Sequence, residues 1–360
     1  MGKNLLICFD GTWNTPDNNT DIEGSTNTNV RLLFEACAKT TTDGREQLKW
    51  YDKGVGTRWY NKLSGGVFGV GLSKNIRQGY SWLVDNYSDG DEIFITGFSR
   101  GAYTARSLVG MIRNCGLVKR SVGDKRRRAE VIGEAYQLYR ARDDGADTPA
   151  AQMFRARYSR PVRIQFVGVW DTVGALGIPV NSFDWFNRRF YEFHDTELSS
   201  IVSHAYHALA TDEHRENYLA TMWDPREKPN QVMEQKWFVG AHANVGGGYK
   251  SHALSNVALR WLLDKASACG LGIRPEAVPK ISRRNYTGPV TDSYEEFLGG
   301  LYRITRDRYR RPVGATCNGM EGVHESVLER YRADATYRPK NPVGPNVTGL
   351  PDPALGRIRP

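Results

Sequence analysis

Three side chains in this 360-residue sequence have the types and the order needed to cleave an ester: a serine, then an aspartate, then a histidine. The serine is Ser99, in Gly97-Phe98-Ser99-Arg100-Gly101. Before it, Asp91-Glu92-Ile93-Phe94-Ile95-Thr96 is a short, apolar, β-prone run. After it, Ala102-Tyr103-Thr104-Ala105-Arg106 reads as the start of a helix. A strand, a tight turn with Ser between two glycines, then a helix is the setting of a nucleophile elbow. Side chains in place of the glycines would collide with the neighbouring strand and helix. The helix start behind Ser99 offers outward N–H groups and a positive dipole end to a developing oxyanion. A bare Gly-x-Ser-x-Gly also arises by chance in a chain with 37 glycines, so the flanking elements carry the reading.

The partners stand at the ends of later strands. Asp171 closes the apolar run Val162 to Trp170, and His242 follows the run Gln235 to Gly240. Serine hydroxyl is a poor nucleophile until a base takes its proton. Imidazole titrates near neutral pH and can take that proton and return it. A carboxylate fixes the imidazole tautomer and stabilises the imidazolium. The order Ser, Asp, His is that of α/β-hydrolases. One oxyanion donor is expected from the backbone N–H of Arg100, and a second from the turn Asp10-Gly11-Thr12.

Each assignment has a competitor. Asp171 could instead cap a helix, and His242 could be a buried structural histidine. Leu198 to Leu209 reads as a helix, which would put His204 and His207 on one face and permit a shared metal with the cluster Asp212, Glu213 and His214. No H-E-x-x-H accompanies them, and the reading adopted uses no metal and no cofactor. Phe9-Asp10-Gly11-Thr12 is close to the D-x-D-G-T start of haloacid dehalogenase-type phosphatases. Cys8 stands where their nucleophilic aspartate would be, so Asp10 is expected to brace the site or its loop.

These residues need a sheet to hold them. Leu5 to Phe9, Gln47 to Tyr51, the run before Ser99, Pro161 to Trp170 and Gln235 to Gly240 read as strands. Val30 to Ala38, Ser73 to Tyr87, the segment from Ser99 to about Asn114, residues 124–142, His252 to Ser267 and 324–333 read as helices. Alternating strands and helices imply an α/β fold, doubly wound, with a mostly parallel sheet whose carboxyl ends carry the chemistry. Glycine-rich 54–72 lacks G-K-[ST] and reads as a loop, either a lid or plain turns. Residues 143–159 read as a polar connection. Aromatic-rich 178–196 reads either as a cap or as core packing. The division expected is a main domain over 1–280, with 178–215 as a cap insertion, and an irregular C-terminal extension over 281–360.

Composition excludes several classes. With 40% hydrophobic and 25% charged residues the chain is globular. It has no apolar run of 18 residues and no signal-peptide pattern, so it is expected to be cytoplasmic as synthesised, with any export by a non-classical secretion system. Five widely spaced cysteines without C-x-x-C point to reduced thiols. The net charge of +9, concentrated partly in Lys119-Arg120 and Lys125 to Arg128, suits an anionic membrane surface or a solvated helix face. No nucleic-acid motif accompanies it. Nothing in the sequence speaks to oligomeric state.

Five stretches then carry a resemblance. They are Leu6-Ile7-Cys8-Phe9-Asp10-Gly11-Thr12-Trp13-Asn14, Tyr51-Asp52-Lys53-Gly54-Val55-Gly56-Thr57, the elbow, Asp212-Glu213-His214-Arg215, and Trp237 to His242 with Val245-Gly246-Gly247-Gly248-Tyr249. Together they resemble the DUF2235 family, which is similar to the catalytic domain of type VI secretion phospholipase effectors. The resemblance implies an α/β-hydrolase fold and a serine esterase or lipase that cleaves glycerophospholipid acyl esters. It implies Ser99, Asp171 and His242 as the site, with Asp212, His214, Arg215 and Asn244 around it. Family members often have Asp at the position of Asn244.

Overall fold

In the computed structural model the described residues are 2–11, 26–54, 65–141, 146–174, 197–224, 228–316, 321–344 and 347. The strands are β1 (Asn4–Phe9), β2 (Gln47–Asp52), β3 (Glu92–Phe98), β4 (Leu117–Val118), β5 (Ser159–Arg160), β6 (Ile164–Trp170), β7 (Val202–Ala210), β8 (Val232–Phe238) and β9 (Glu321–Val323). Seven of them form one sheet in the order β2-β1-β3-β6-β7-β8-β9, and every pairing in it is parallel. β4 and β5 form a separate antiparallel pair. The longer helices are α1 (Asn29–Ala36), α2 (Gly65–Asn86), α3 (Arg100–Cys115), α4 (Lys125–Arg140), α5 (Pro149–Tyr158), α6 (His242–Gly246), α7 (Ala253–Ala268) and α8 (Glu325–Ala333).

The two faces of the sheet explain why its central strands read as unbroken apolar runs. In β1, Leu5, Ile7 and Phe9 face one core with Ile76, Tyr80 and Leu108 of α2 and α3. Leu6 and Cys8 face the other with Leu33 of α1 and Leu262 of α7. Successive side chains point to opposite faces, and a parallel sheet covered on both sides buries each. Chain order reverses across β1: β2 lies on one side of it and β3 on the other. Ligands of open α/β sheets bind outside the carboxyl ends of the strands at such a switch point. The turns after β1 and β3 meet there, and they hold Asp10 and Ser99.

Several expectations need correction. The segment read as a helix from Leu198 is largely β7. Its alanines and His207 are buried and His204 is half-buried, so no clean alternation shows in the sequence. As a strand it sends His204 and His207 to opposite faces, which removes the basis for a shared metal. Glycine-rich 65–72 opens α2 rather than looping; residues 55–64 lie outside the described residues. The polar connection 143–159 contains α5, capped by Thr148 accepting from the Ala151 N–H, with Pro149 in the first turn. Its only buried residue is Ala151, so it has no apolar stripe to find. Of the cap insertion expected over 178–215, residues 178–196 lie outside the described residues, and Val202–Ala210 is β7, an inner strand of the sheet and not part of a cap. After residue 280 the chain packs on the sheet's far edge, where Val313, Val323 and Val327 meet Leu209 and Trp237, and it supplies β9.

α3 starts at Ser99 on the carboxyl side of the sheet and returns to the amino side. The basic run follows that return. Arg128 pairs with Asp85 at 3.7 Å, and Arg160 pairs with Asp89 at 3.0 Å, both beside the turn that feeds β3. Arg126 is exposed and Arg127 pairs with Glu130 and Glu134. The run therefore lies at the end of the sheet away from Ser99. Among the described residues no helix is long and apolar enough to cross a membrane.

The elbow's glycines are sterically required. A Cβ on Gly101 would lie 2.2 Å from the Phe9 carbonyl oxygen, and one on Gly97 would lie 2.5 Å from the Gly101 carbonyl oxygen. Gly133 within α4 meets nothing within 4 Å. Gly101→Ala is expected to lower unfolding free energy by about 3 kcal/mol, whereas Gly133→Ala should raise it by about 0.5 to 1 kcal/mol. Urea denaturation of both variants checks the contrast.

Candidate active site

Ser99 sits between β3 and α3 with φ +59° and ψ −122°, a conformation rare for L-residues. Its N–H donates to the Trp170 carbonyl at 3.0 Å, which ties the elbow to the end of β6. Asp171 follows β6 and also has a positive φ, +38°. Its N–H donates to the Ala208 carbonyl at 2.7 Å. Left-handed non-glycine residues persist where their surroundings over-determine them, and they gather at functional sites. The next N–H, that of Thr172, donates to His207 Nε2 at 3.0 Å. Burial foremost, then the charge of Arg106, lowers the His207 pKa to about 3, so this ring stays a neutral acceptor.

The three expected side chains meet. His242 Nε2 is 2.8 Å from Ser99 Oγ. His242 Nδ1 is 2.5 Å from Asp171 Oδ2. Ser99 is 6% exposed, Asp171 0% and His242 7%. Phe98 lies against the imidazole with ring centroids 4.5 Å apart, and Tyr218 packs near-perpendicular to it at 5.1 Å. Burial lowers the His242 pKa, outweighing the pull of Asp171 in the other direction. Burial alone would raise the Asp171 carboxyl; the charges of Arg311 and His242, with their hydrogen bonds, hold it well below the usual carboxylate range.

The surrounding motif residues hold the backbone that carries His242. Glu213 is fully buried and accepts the His242 N–H at 3.2 Å. It binds the Arg215 guanidinium through both oxygens at 2.8 Å and accepts from the Ser293 hydroxyl at 2.9 Å. Burial would raise the Glu213 carboxyl, but Arg215 draws it down to about 2. Arg215 lies 3.6 Å over the Tyr218 ring. Asp212 accepts from the Gly240 N–H at 2.7 Å and the Tyr337 hydroxyl at 3.0 Å. His214 Nδ1 lies 3.0 Å from the Tyr309 carbonyl oxygen. Asn244 Oδ1 accepts the N–H groups of Ala241 and Thr291, at 3.1 and 3.0 Å. An amide at this position therefore anchors the turn before His242 instead of facing its ring.

Arg100 opens α3, where N–H groups point out of the helix. Desolvation lowers its guanidinium pKa to about 10 against the opposing influence of Tyr218. Asp10 accepts from Thr28 Oγ1 at 2.7 Å, Tyr51 OH at 2.5 Å and the Gly11 N–H at 2.6 Å. Asp10 thus ties its own turn to Thr28 and Tyr51. The Gly11 N–H is directed to the Asp10 carboxylate, so this arrangement does not present it to Ser99. Thr12 lies outside the described residues.

Sequence reasoning missed two contributors. Arg311 reaches Asp171 from the C-terminal segment at 2.6 and 3.0 Å. It stood in the arginine-rich stretch Arg306 to Arg311, where no spacing marks one residue. Glu213 was visible within Asp212-Glu213-His214-Arg215, but only the fold shows that it holds the His242 backbone. Glu213→Ala would leave the Arg215 charge buried without its main counter-charge. It should cost about 3 to 5 kcal/mol, read as a fall in the urea midpoint.

A family model described as "T6SS, Phospholipase effector Tle1-like, catalytic domain" matches residues 3–265. An uncharacterized protein of Saccharomyces cerevisiae is 28% identical over 248 residues, covering 62% of this chain and 33% of its own length. The crystal structure of an uncharacterized protein from Pseudomonas aeruginosa aligns over 86% of this chain and 51% of its own, at 16% identity and a TM-score of 0.45. The Tle1 effector bound to the VgrG spike from the type 6 secretion system aligns over 69% of this chain and 51% of its own, at 19% identity and a TM-score of 0.39. The chain spans a third of the curated relative's length and about half of each solved chain.

Proposed function

The chain belongs to the family of Tle1-like phospholipase effector catalytic domains of type VI secretion, and from that premise we propose that it is a serine hydrolase of lipid carboxylic esters. Ser99 is the nucleophile, His242 the base and then the acid, and Asp171 the group that orients His242. One observation carries this reading: the Ser99 hydroxyl, both nitrogens of His242 and the Asp171 carboxylate form a continuous chain at 2.8 and 2.5 Å. The preferred substrate is the acyl ester of a glycerophospholipid, and this finer choice rests on the family.

Each bond change has a group in place. His242 Nε2 takes the hydroxyl proton as Ser99 Oγ bonds to the acyl carbon. The carbonyl oxygen becomes an oxyanion beside the start of α3, where the Arg100 N–H is the donor expected. Collapse breaks the bond to the alcohol, which leaves with the proton from His242. Water then repeats the sequence, giving its proton to His242 and releasing the fatty acid and free Ser99. Asp171 keeps Nδ1–H directed toward itself, so Nε2 stays the basic atom.

Ser99→Ala should abolish turnover of short-chain and phospholipid esters with the fold retained. Asp171→Asn should lower kcat by about four orders of magnitude. Wild type should label with a fluorophosphonate and Ser99→Ala should not. A folded wild type that neither labels nor hydrolyses any ester would favour a silent interaction module on the same scaffold.

The pH dependence follows from His242 acting as a neutral base. kcat/KM should rise with pH as the ring loses its proton. Burial lowers its pKa, so the midpoint of that rise should lie below the ordinary histidine value. A pH profile with a midpoint above it would contradict the geometry.

Delivery is a separate part of the proposal. A Tle1 effector is known bound to a VgrG spike, and a corresponding spike is the carrier proposed here. Co-purification of the full chain with a VgrG-type spike protein would test this; passage of both through a sizing column as separate species would sink it.

A further inference from the structure

Arg311 lies beyond residue 265, where the family match ends, and is 1% exposed. Its Nη1 donates to Asp171 Oδ1 at 2.6 Å and to the Ala210 carbonyl at 3.0 Å. Its Nη2 donates to Asp171 Oδ2 at 3.0 Å and also to the Tyr218 carbonyl. One planar group therefore binds the carboxylate by both oxygens, the end of β7, and the segment whose ring packs on His242. Asp171 Oδ1 also accepts the Ala210 N–H at 3.0 Å, while Oδ2 is shared with His242. A two-point fork leaves the carboxylate a single orientation. We propose that Arg311 is a positioning residue of the hydrolytic site, fixing the Asp171 carboxylate toward His242 and sharing its charge, so that the site is complete only with the C-terminal segment in place. This rests on the reading of Ser99, Asp171 and His242 as a hydrolytic triad.

The charge has a measurable consequence. Several titratable or charged groups surround the Asp171–His242 pair. His207 comes from β7; Glu213, Arg215 and Tyr218 come from the segment after it. Arg311 comes from the C-terminal segment, while Arg100 at the start of α3 and Tyr249 after α6 act on Tyr218, one layer further out. Among the described residues, Arg311 is the arginine that hydrogen-bonds the Asp171 carboxylate itself. Removing it takes a positive charge from a strongly coupled acid and base. The pair then binds a proton more readily, and His242 becomes a free base only at higher pH. Lysine restores the charge without the planar fork.

The test compares wild type, Arg311→Lys and Arg311→Met as full chains. It measures kcat/KM against pH with a short-chain p-nitrophenyl ester, with fluorophosphonate labelling and circular-dichroism melts alongside. Arg311→Met should lose about 100-fold in rate at its optimum, the scale expected of a misplaced catalytic group, and its acid limb should move to higher pH. Arg311→Lys should return the acid limb to the wild-type position while keeping a reduced kcat. A folded Arg311→Met with the wild-type limb and rate would overturn the inference, as would a Lys variant displaced as far as Met. If the Met variant does not fold, the Lys variant decides: a wild-type limb with lowered kcat supports the inference, and full wild-type kcat overturns it. A wild type that neither labels nor turns over would instead remove the triad reading on which this depends.

Discussion

A carboxylate with no exposure to water is costly to keep ionised, and left alone it would take up a proton. Asp171 is such a group. Its charge is kept by a guanidinium on one side and an imidazole on the other, with the Ala210 N–H adding a third donor. All other features of the site adjust to this arrangement. β6 must end where the backbone can turn to φ +38°, β7 must supply Ala208 and Ala210 at the right register, and α6 must begin with His242. The parallel ladder makes this achievable, because β3, β6, β7 and β8 all end on the same side of the sheet. Strain at Ser99 and Asp171, of order 1 to 3 kcal/mol each, is held by hydrogen bonds to the ends of neighbouring strands.

The site's three principal residues were legible because each follows a short, continuous apolar run, which marks a strand buried on both faces. Asp171 after Val167-Gly168-Val169-Trp170 and His242 after Trp237-Phe238-Val239 stand out as polar breaks. β7 was not legible because Ala205, Ala208 and Ala210 fit a helix as readily as a buried strand, and tertiary packing decided between them. α5 was hidden for the opposite reason: its surface is nearly all polar, and capping by Thr148 rather than an apolar stripe defines it. Arg311 could not be read from sequence. It is one of 49 basic residues, and its meaning comes from a contact 140 positions away.

The parallel sheet also separates two properties that the sequence places close together. The elbow and the Lys119 to Arg128 run are neighbours in the chain, but α3 carries one from the carboxyl side of the sheet to the amino side. A flat anionic surface meeting the basic run would leave Ser99 facing away from it. Any substrate must therefore approach the site past other residues, among them the segment around Tyr218 and the stretch that packs on it through Tyr302.

The reach of Arg311 across 140 positions also bears on the order of synthesis. A chain made from its N-terminus exposes the elbow, then Asp171, then His242, all before residue 311 has left the ribosome. Domains tend to fold in that order, so the sheet can begin to form around an aspartate that still lacks its counter-charge. Assembly of the candidate site is consequently tied to a segment made after all three of its principal residues. A truncated product that ends before Arg311 would hold Ser99, Asp171 and His242, and still lack the charge that keeps Asp171 ionised.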